Sequence, residues 1–153
     1  MDYKREAIEL LKSYYDWQKS IQNMTDELRT INSSITAIKS VEITDMPQGR
    51  SSINYDDRIN NLIFRKGIVE KNLKRTYKEV QIIDQILKGL EDTAKDEREQ
   101  KHAALLRHWF IEGSKIEYMM REFICSKTEL YRLRDDAVKR FAKQRFGLPV
   151  VSA

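Results

Sequence analysis

The sequence predicts an all-α protein, and three of its features support this fold class. Only five Gly and two Pro occur in 153 residues, so few positions interrupt a helix. Apolar residues recur every three or four positions over the first ninety residues, which is typical of long helices that pack along one face. In the last sixty residues, Ser or Asp is followed three residues later by Glu at three places, as at helix N-termini.

Residues 1–91 are predicted to form a long antiparallel coiled-coil helical hairpin with a connecting loop at 43–54. The first helix carries an unbroken apolar stripe with the 3.5-residue spacing of a coiled-coil seam. Pro47 and Gly49 exclude continuation of this helix through the loop. The stripe consists of Tyr3, Ala7, Leu10, Tyr14, Trp17, Ile21, Met24, Leu28, Ile31, Ile35 and Ile38.

A second stripe begins at Tyr55 and places two polar residues, Lys66 and Thr76, in the seam. Such residues commonly specify register or partner number. Asn54 is expected to cap this helix. The two seams could close within one hairpin, but we expect them to close into a dimer or a higher bundle, because a lone pair of helices buries little core. The remaining stripe residues are Ile59, Leu62, Val69, Leu73, Val80, Ile83, Leu87 and Leu90.

Residues 92–147 are predicted to form a helix-turn-helix domain, and residues 148–153 a disordered tail. Asp96 with Glu99 starts a third helix that ends at Gly113. Ser114 and Ser126, each followed by Glu at the third position, are expected to cap two further helices joined by a tight turn. The expected inward side chains are Ile116, Met119, Met120 and Phe123 on the first, and Leu130, Leu133, Ala137, Val138 and Phe141 on the second.

The positive charge of the chain is concentrated near its C-terminus. Between Arg107 and Arg145 there are ten Lys or Arg and six acidic residues, an excess that equals the whole net charge of +4. An anionic partner is therefore expected to bind there.

Double-stranded DNA is the anionic partner that a helix-turn-helix fits, because its second helix can enter the major groove. Lys127 and Arg132 could instead be ordinary solvated charges. The residues expected to face the bases or the groove are Ser126, Lys127, Thr128, Tyr131, Arg132 and Asp135. Those expected to contact phosphates are Ser114, Lys115, Arg121, Lys139, Arg140 and Lys143.

The sequence gives no reason to expect an enzyme, a metal or a cofactor. His102 and His108 are six residues apart, a poor spacing for shared metal ligation. Asp135 and Asp136 are adjacent, so on a helix their side chains point apart. Cys125, the single cysteine, is expected to be a small buried filler in a reducing, cytoplasmic protein. Neither a membrane span nor a signal peptide is expected from the apolar runs or from the charged start.

The segment LLRHWFIEGSKIEYMMREFICSKTELYRLRDDAVKRF resembles the helix-turn-helix of sigma-factor region 4. It resembles more closely the C-terminal half of the ArpU/RinA-like late transcription activators of phages of Gram-positive bacteria. Residues 110–113 occupy the entry of that family's pattern, Met119 and Met120 its Ile-Ala pair, Ser126 its cap, and residues 130–133 its Val-Tyr-Arg-Leu run.

The resemblance implies a phage or prophage regulator of transcription, nucleoid-associated in a bacterial host, that activates late genes as a dimer and could contact host RNA polymerase. Two residues depart from the family pattern. Met120 replaces a small residue, and Ile124 occupies a turn position that is often Gly or Asn. A β-branched side chain is unsuited to positive φ, so we expect another type of turn or a changed angle between the helices.

Two other functions fit the same pattern. One is a DNA-packaging adaptor that resembles small terminase subunits, which also join a helix-turn-helix to a coiled coil. The other is a structural coiled-coil protein that binds no nucleic acid. No small-molecule substrate is expected for either.

Overall fold

The computed structural model describes the backbone of residues 2–44 and 50–147, with side chains for residues 2–40 and 56–147. Every regular element in these ranges is helical, so the predicted all-α class is confirmed for this part of the chain. The elements are α1 (Tyr3–Thr44), α2 (Arg50–Asp92), α3 (Glu97–Gln100), α4 (His102–Leu106), a π-helical turn (Arg107–Ile111), α5 (Ile116–Glu122) and α6 (Lys127–Phe146).

The connection between the two long helices is shorter than the predicted loop 43–54. Helix α1 extends to Thr44 and α2 begins at Arg50, so Asn54 lies inside α2 and the prediction that it caps this helix is wrong. Pro47 and Gly49 lie outside the described residues, as does the tail predicted at 148–153. A potential cap residue such as Asn54 does not by itself fix where a helix starts. Residues 50–53 contain neither Gly nor Pro, so the helix can begin before it.

The structure divides into two compact units. The first combines Met1–Asp16 with Glu79–Ala153, and the second is Trp17–Lys78. The first unit thus joins the predicted domain 92–147 to one end of each long helix. None of the helices in the described ranges is apolar over a length that could cross a membrane.

In the second unit, the buried side chains follow the two predicted stripes. Ile31 on α1 and Val69 on α2 are buried, and Arg65 of α2 donates a hydrogen bond to Glu27 of α1 at 2.7 Å. Both polar stripe residues are half-buried and have partners on their own helix. Lys66 lies 3.9 Å from Glu70, and Thr76 donates to the carbonyl oxygen of Asn72 at 2.8 Å.

In the first unit, the contact between α1 and α2 combines buried apolar side chains with one hydrogen bond. Leu11 is fully buried and Leu10 only half-buried, so the stripe prediction was wrong by one residue at this point. Tyr14 is buried as expected, and its hydroxyl donates to Oδ1 of Asp84 at 2.5 Å. Burial, followed by the carboxylate of Asp84, raises the pKa of Tyr14 to about 12.

The third helix is interrupted, contrary to the prediction of one continuous helix from Asp96 to Gly113. Asp96 does cap α3, since its carboxylate accepts from the amide of Glu99 at 2.8 Å. The break at Lys101 and the π-helical turn follow, and the Glu112 amide donates to the Arg107 carbonyl oxygen at 2.8 Å. A π turn inserts one extra residue, which an apolar repeat cannot reveal. Gly113 ends the segment with φ +63°.

Arg140 of α6 joins four segments of the first unit. One guanidinium nitrogen, Nη1, donates to the Glu99 carbonyl oxygen at 3.2 Å and lies 3.0 Å from Nδ1 of His102. The other, Nη2, donates to the carbonyl oxygen of Leu90 and to Oγ1 of Thr93, both at 3.0 Å. The Leu90 carbonyl is in the last turn of α2, where helices leave carbonyls without an internal partner. Arg140 therefore caps α2 and fixes α6 against it.

His102 is the buried partner of Arg140, and only 1% of it is exposed. Because the guanidinium donates to Nδ1, the imidazole is neutral with its proton on Nε2, an atom that is buried without a hydrogen-bond partner among the described residues. Burial, then the charges of Arg140 and Arg98, lower the pKa of His102 below its usual value of 6.5.

Replacing Arg140 by Met should lower the free energy of unfolding by about 2–4 kcal/mol, because several charge-assisted hydrogen bonds are lost at once. Urea unfolding followed by circular dichroism measures this difference. Lys143→Met is the matched control: Lys143 is exposed on the same helix, so its loss should change stability by less than about 0.5 kcal/mol. Equal effects of the two variants would contradict the role of Arg140.

Acidification should destabilise the protein through His102. Its pKa is lower in the folded state than in the unfolded chain, so the unfolded state binds the additional proton. The stabilising contribution is complete above the unfolded pKa of about 6.5 and decreases as the pH falls below it, by at most about 1.4 kcal/mol per pH unit. Urea unfolding at several pH values between about 5 and about 8 should show this slope, and His102→Gln should reduce it. An unchanged slope in His102→Gln would refute the assignment.

Candidate nucleic-acid interface

The helices α5 and α6 share one small apolar core with α4 and the π-helical turn. Its buried members include Met119 of α5 and Leu130 of α6, which confirms the predicted inward faces of both helices. Met120, expected to need room where helices approach closely, is only partly buried at the margin of this core. The buried members are Leu105, Met119, Phe123, Leu130 and Leu133, and the partly buried ones Ala104, Trp109, Ile116, Met120 and Cys125.

Only the second of the two Ser-Lys-x-Glu patterns forms a helix cap. The hydroxyl of Ser126 accepts from the amide of Glu129 at 3.2 Å and begins α6. Ser114 does not cap α5, and this prediction is wrong. Lys115 holds the cap position without a side-chain hydrogen bond, and the Ser114 hydroxyl lies 3.1 Å from Nδ1 of His108. The positive φ of Gly113 turns the chain so that Ser114 faces the π-helical turn.

The turn between α5 and α6 contains Ile124 with φ +52°, so of the two expectations stated for this position, that of another type of turn is wrong. The amide of Cys125 donates to the carbonyl oxygen of Met120 at 3.1 Å, which is the six-to-one bond of a Schellman motif. That motif usually places Gly where this chain has Ile124. The side chain of Ile124 is 88% exposed, so no packing contact offsets the backbone strain.

The first turns of α6 present most of the predicted groove residues to solvent. Lys127, Thr128 and Arg132 are exposed, and so is Tyr131, at 39%. Neither Lys127 nor Arg132 has an ion pair within the described part of the chain. An open hollow of about 680 Å³ collects these side chains; it is lined by Arg98, Lys127, Thr128, Tyr131, Arg132, Arg134, Asp135 and Asp136. Ser126 is exposed beside them, with its hydroxyl used in the cap.

Asp135 is placed differently from the expectation that it reads bases. Its Oδ1 pairs with Lys4 of α1, and its Oδ2 lies 3.2 Å from Nζ of Lys139. The hydrogen bond from Lys4 is the largest cause that lowers the pKa of Asp135. Both oxygens are therefore engaged, and Asp135 neutralises charge and positions α1 at the margin of the hollow.

The residues predicted to contact phosphates fall into two groups. Lys115, Arg121, Lys139 and Lys143 are exposed near the two ends of the α5–α6 pair. The other two are engaged inside the first unit: Ser114 with His108, and Arg140 with the ends of α2 and α3. We therefore leave Ser114 and Arg140 out of the interface.

Arg98 lines the same hollow and was missed by the sequence analysis. It lies 2.5 Å from Oδ2 of Asp136 and 3.3 Å from Oε1 of Glu129. The hydrogen bond to Asp136 is the main cause that raises the pKa of Arg98. The signal in the sequence was the seven-residue spacing of Glu129 and Asp136, which places two carboxylates on one side of α6.

Arg134 and Trp109 also line or border the hollow and were not expected there. Trp109 meets Tyr131 edge to face, with ring centroids 5.2 Å apart. The guanidinium carbon of Arg134 lies 5.0 Å from the centroid of the Trp109 ring. Arg134 follows Tyr131 by three positions, so helical spacing could have indicated that the two share a face.

Metal-binding and thiol chemistry find no support in the described residues. No group of three His, Cys, Asp or Glu side chains there could hold a metal ion. His108 is instead paired at 2.8 Å with Glu112, one turn further along the chain. Cys125 is half-buried in the turn, and burial raises the pKa of its thiol, which disfavours the reactive thiolate.

No protein-family model, curated protein or solved structure matches this chain.

Replacing Ile124 by Asn should raise the free energy of unfolding by about 1 kcal/mol, because Asn adopts positive φ with less strain than a β-branched residue. Thermal and urea unfolding measure the change. Ile124→Val keeps the branching at Cβ and should leave stability unchanged. A destabilised Ile124→Asn variant would show that the turn is not strained.

Proposed function

We propose that this protein is a sequence-specific, double-stranded DNA-binding regulator of transcription. One observation carries the proposal: α6 begins at a capped, strained turn and exposes Lys127, Thr128, Tyr131 and Arg132 while its opposite face is buried against α5. An exposed helix start braced by a second short helix is the arrangement with which helix-turn-helix proteins enter the major groove.

The exposed side chains of α6 suit the chemistry of base edges. The planar guanidinium of Arg132 can donate two hydrogen bonds to O6 and N7 of guanine. Thr128 offers a hydroxyl for a base or a phosphate and a methyl group for thymine. Lys127 lies at the start of the helix, where backbone amides also favour a phosphate. Since Lys127 and Arg132 have no ion pair among the described residues, no intramolecular bond must break first.

Further exposed cations lie on and before α5 and in the later turns of α6. Lys115 and Arg121 belong to the α5 side, and Lys139 and Lys143 to the later turns of α6. In the proposed complex they neutralise phosphates of the two strands and release counterions, so affinity falls steeply as salt rises. Lys139 first exchanges its contact with Asp135, and its contribution is accordingly smaller.

The long helices supply the proposed assembly module. Their buried faces follow heptad stripes, which supports a coiled-coil hairpin in each chain. We propose that two copies join through this module, so that two α6 helices read half-sites about 34 Å apart, or a multiple of that distance. Phage origin, activation of late genes and contact with host RNA polymerase rest on the family resemblance of residues 105–141 alone.

Arg132→Ala should relax sequence preference while the fold stays unchanged. Selection of binding sites from random duplexes, with wild type and variant in parallel, gives the measurement. Loss of one bidentate base contact should cost about 1–3 kcal/mol on the selected site and blur one or two positions of the motif. Arg75→Ala, an exposed arginine of α2 outside the hollow, is the control and should return the wild-type motif. An identical motif from Arg132→Ala would place the groove contact elsewhere.

The long helices also suit a ring-forming DNA-packaging adaptor, since α1 has 42 residues and α2 has 43. The mass of the particle in solution, measured by light scattering, separates the two functions. A dimer supports the regulator, and eight or more subunits support the adaptor. If immobilised duplex DNA does not retain the protein in a salt-dependent way, both the regulator and the adaptor are excluded, and a purely structural role is supported.

A further inference from the structure

Arg134 lies against two contacting aromatic rings in the hollow beside the first turns of α6. Its guanidinium carbon lies 5.0 Å from the ring centroid of Trp109 and 5.7 Å from that of Tyr131. The two rings themselves meet edge to face, with an interplanar angle of 76°. Cation–π contact with both rings attracts the guanidinium to this position and restricts the rotamers of Arg134.

This cation lacks a counter-ion among the described residues. Arg134 is half-buried, makes neither an ion pair nor a hydrogen bond there, and its Nε is fully buried without a partner. Burying part of a charge without a hydrogen-bonded counter-ion is unfavourable. The guanidinium of Arg134 should therefore gain stability when an anion binds to it.

The acidic residues nearest in sequence are already engaged by other cations. Asp135 is paired with Lys4 and Lys139, and Asp136 with Arg98. The positive charge of Arg134 is therefore not compensated by its neighbours. An anion from outside the chain would satisfy it.

The position of Arg134 around α6 favours the DNA backbone over a base. At 3.6 residues per turn, Arg134 and Arg132 lie on opposite sides of Tyr131, about 60° and about 100° away. Arg134 points back towards Trp109 and the body of the first unit. When a helix lies in the major groove, its side next to the protein body faces the sugar-phosphate strand, whereas bases are reached by side chains that project furthest into the groove.

We infer that Arg134, oriented by Trp109 and Tyr131, binds a phosphate of the DNA backbone. This deepens the proposed function and rests on it. The planar guanidinium presents two parallel N–H groups that match a phosphate, and Lys127 and the hydroxyl of Thr128 line the same hollow. Because contact with the two rings already restricts the side chain, less rotamer entropy is lost on binding than for a free arginine.

The test is Arg134→Gln in a binding titration with a fluorescent duplex that carries the wild-type motif, repeated over a range of KCl concentrations. Affinity should fall roughly tenfold at low salt, the loss expected for one charged hydrogen-bonding group. The slope of log affinity against log salt should decrease in magnitude by about 1. The loss should be the same on a scrambled duplex, and site selection should return the wild-type motif.

Two further variants separate this contact from other effects. Arg75→Gln removes the same charge from an exposed position of α2 outside the hollow and should keep the wild-type slope and affinity. Arg134→Lys keeps the charge but not the planar guanidinium with its two parallel N–H groups, so it should keep the slope and lose a few-fold in affinity. Should Arg134→Gln unfold, as circular dichroism would show, Arg134→Lys carries the test.

A wild-type slope and affinity in Arg134→Gln, or wild-type affinity in Arg134→Lys, would overturn the inference. A shifted motif in Arg134→Gln would also overturn it, because it would make Arg134 a base-reading residue. If the wild-type protein binds duplex DNA but the Arg134 variants give one of these contradicting results, the proposed function stands and only the phosphate contact of Arg134 is refuted. If the wild type binds no duplex, both fall together.

Discussion

Arg140 is the constraint on which the geometry of the proposed interface depends. Its guanidinium satisfies a carbonyl in the last turn of α2, a carbonyl at the end of α3 and the buried His102 at once. The later turns of α6 are thereby fixed inside the first unit, where Val138, Phe141 and Ala142 are buried. The first turns bury Leu130 and Leu133 on one face, and their other face is uncovered and exposes the side chains that suit DNA. One 20-residue helix thus serves as a structural brace at one end and as a candidate recognition surface at the other.

Much of this fold could be predicted from the spacing of apolar residues, because that spacing identifies the buried face of a helix even when the element packed against it is unknown. The stripes of the long helices and the inward faces of α5 and α6 were identified correctly on that basis, except that Leu11 and Ile86 are buried outside the predicted stripes. The interruption of the third helix could not be predicted, since one inserted residue in a π turn leaves the apolar content unchanged. Ser114 shows the limit of cap patterns: it begins the same Ser-Lys-x-Glu pattern as Ser126, but the positive φ of the preceding Gly113 redirects it to His108.

The candidate site was predictable to the extent that helical spacing defines a face. Lys127, Thr128, Tyr131 and Arg132 do share an open hollow. Sequence could not distinguish a cation on the surface from one that binds inside the protein, so Arg140 was assigned to DNA and Arg134 was overlooked. The difference depends on long-range partners, the carbonyl of Leu90 for Arg140 and the ring of Trp109 for Arg134. The strain at Ile124 was likewise not predictable from the sequence, because it follows from the way α5 ends in a Schellman motif before α6 begins.

The proposed function depends on the binding of duplex DNA to the first turns of α6. Its most direct test is a titration of ¹⁵N-labelled protein with duplex DNA, in which the backbone amide resonances are followed residue by residue. If DNA binds there, the largest shifts should fall between Ser126 and Asp135, with smaller ones around Lys115 and Arg121. Shifts confined to the second unit, Trp17–Lys78, or the absence of any shift at low salt, would contradict it.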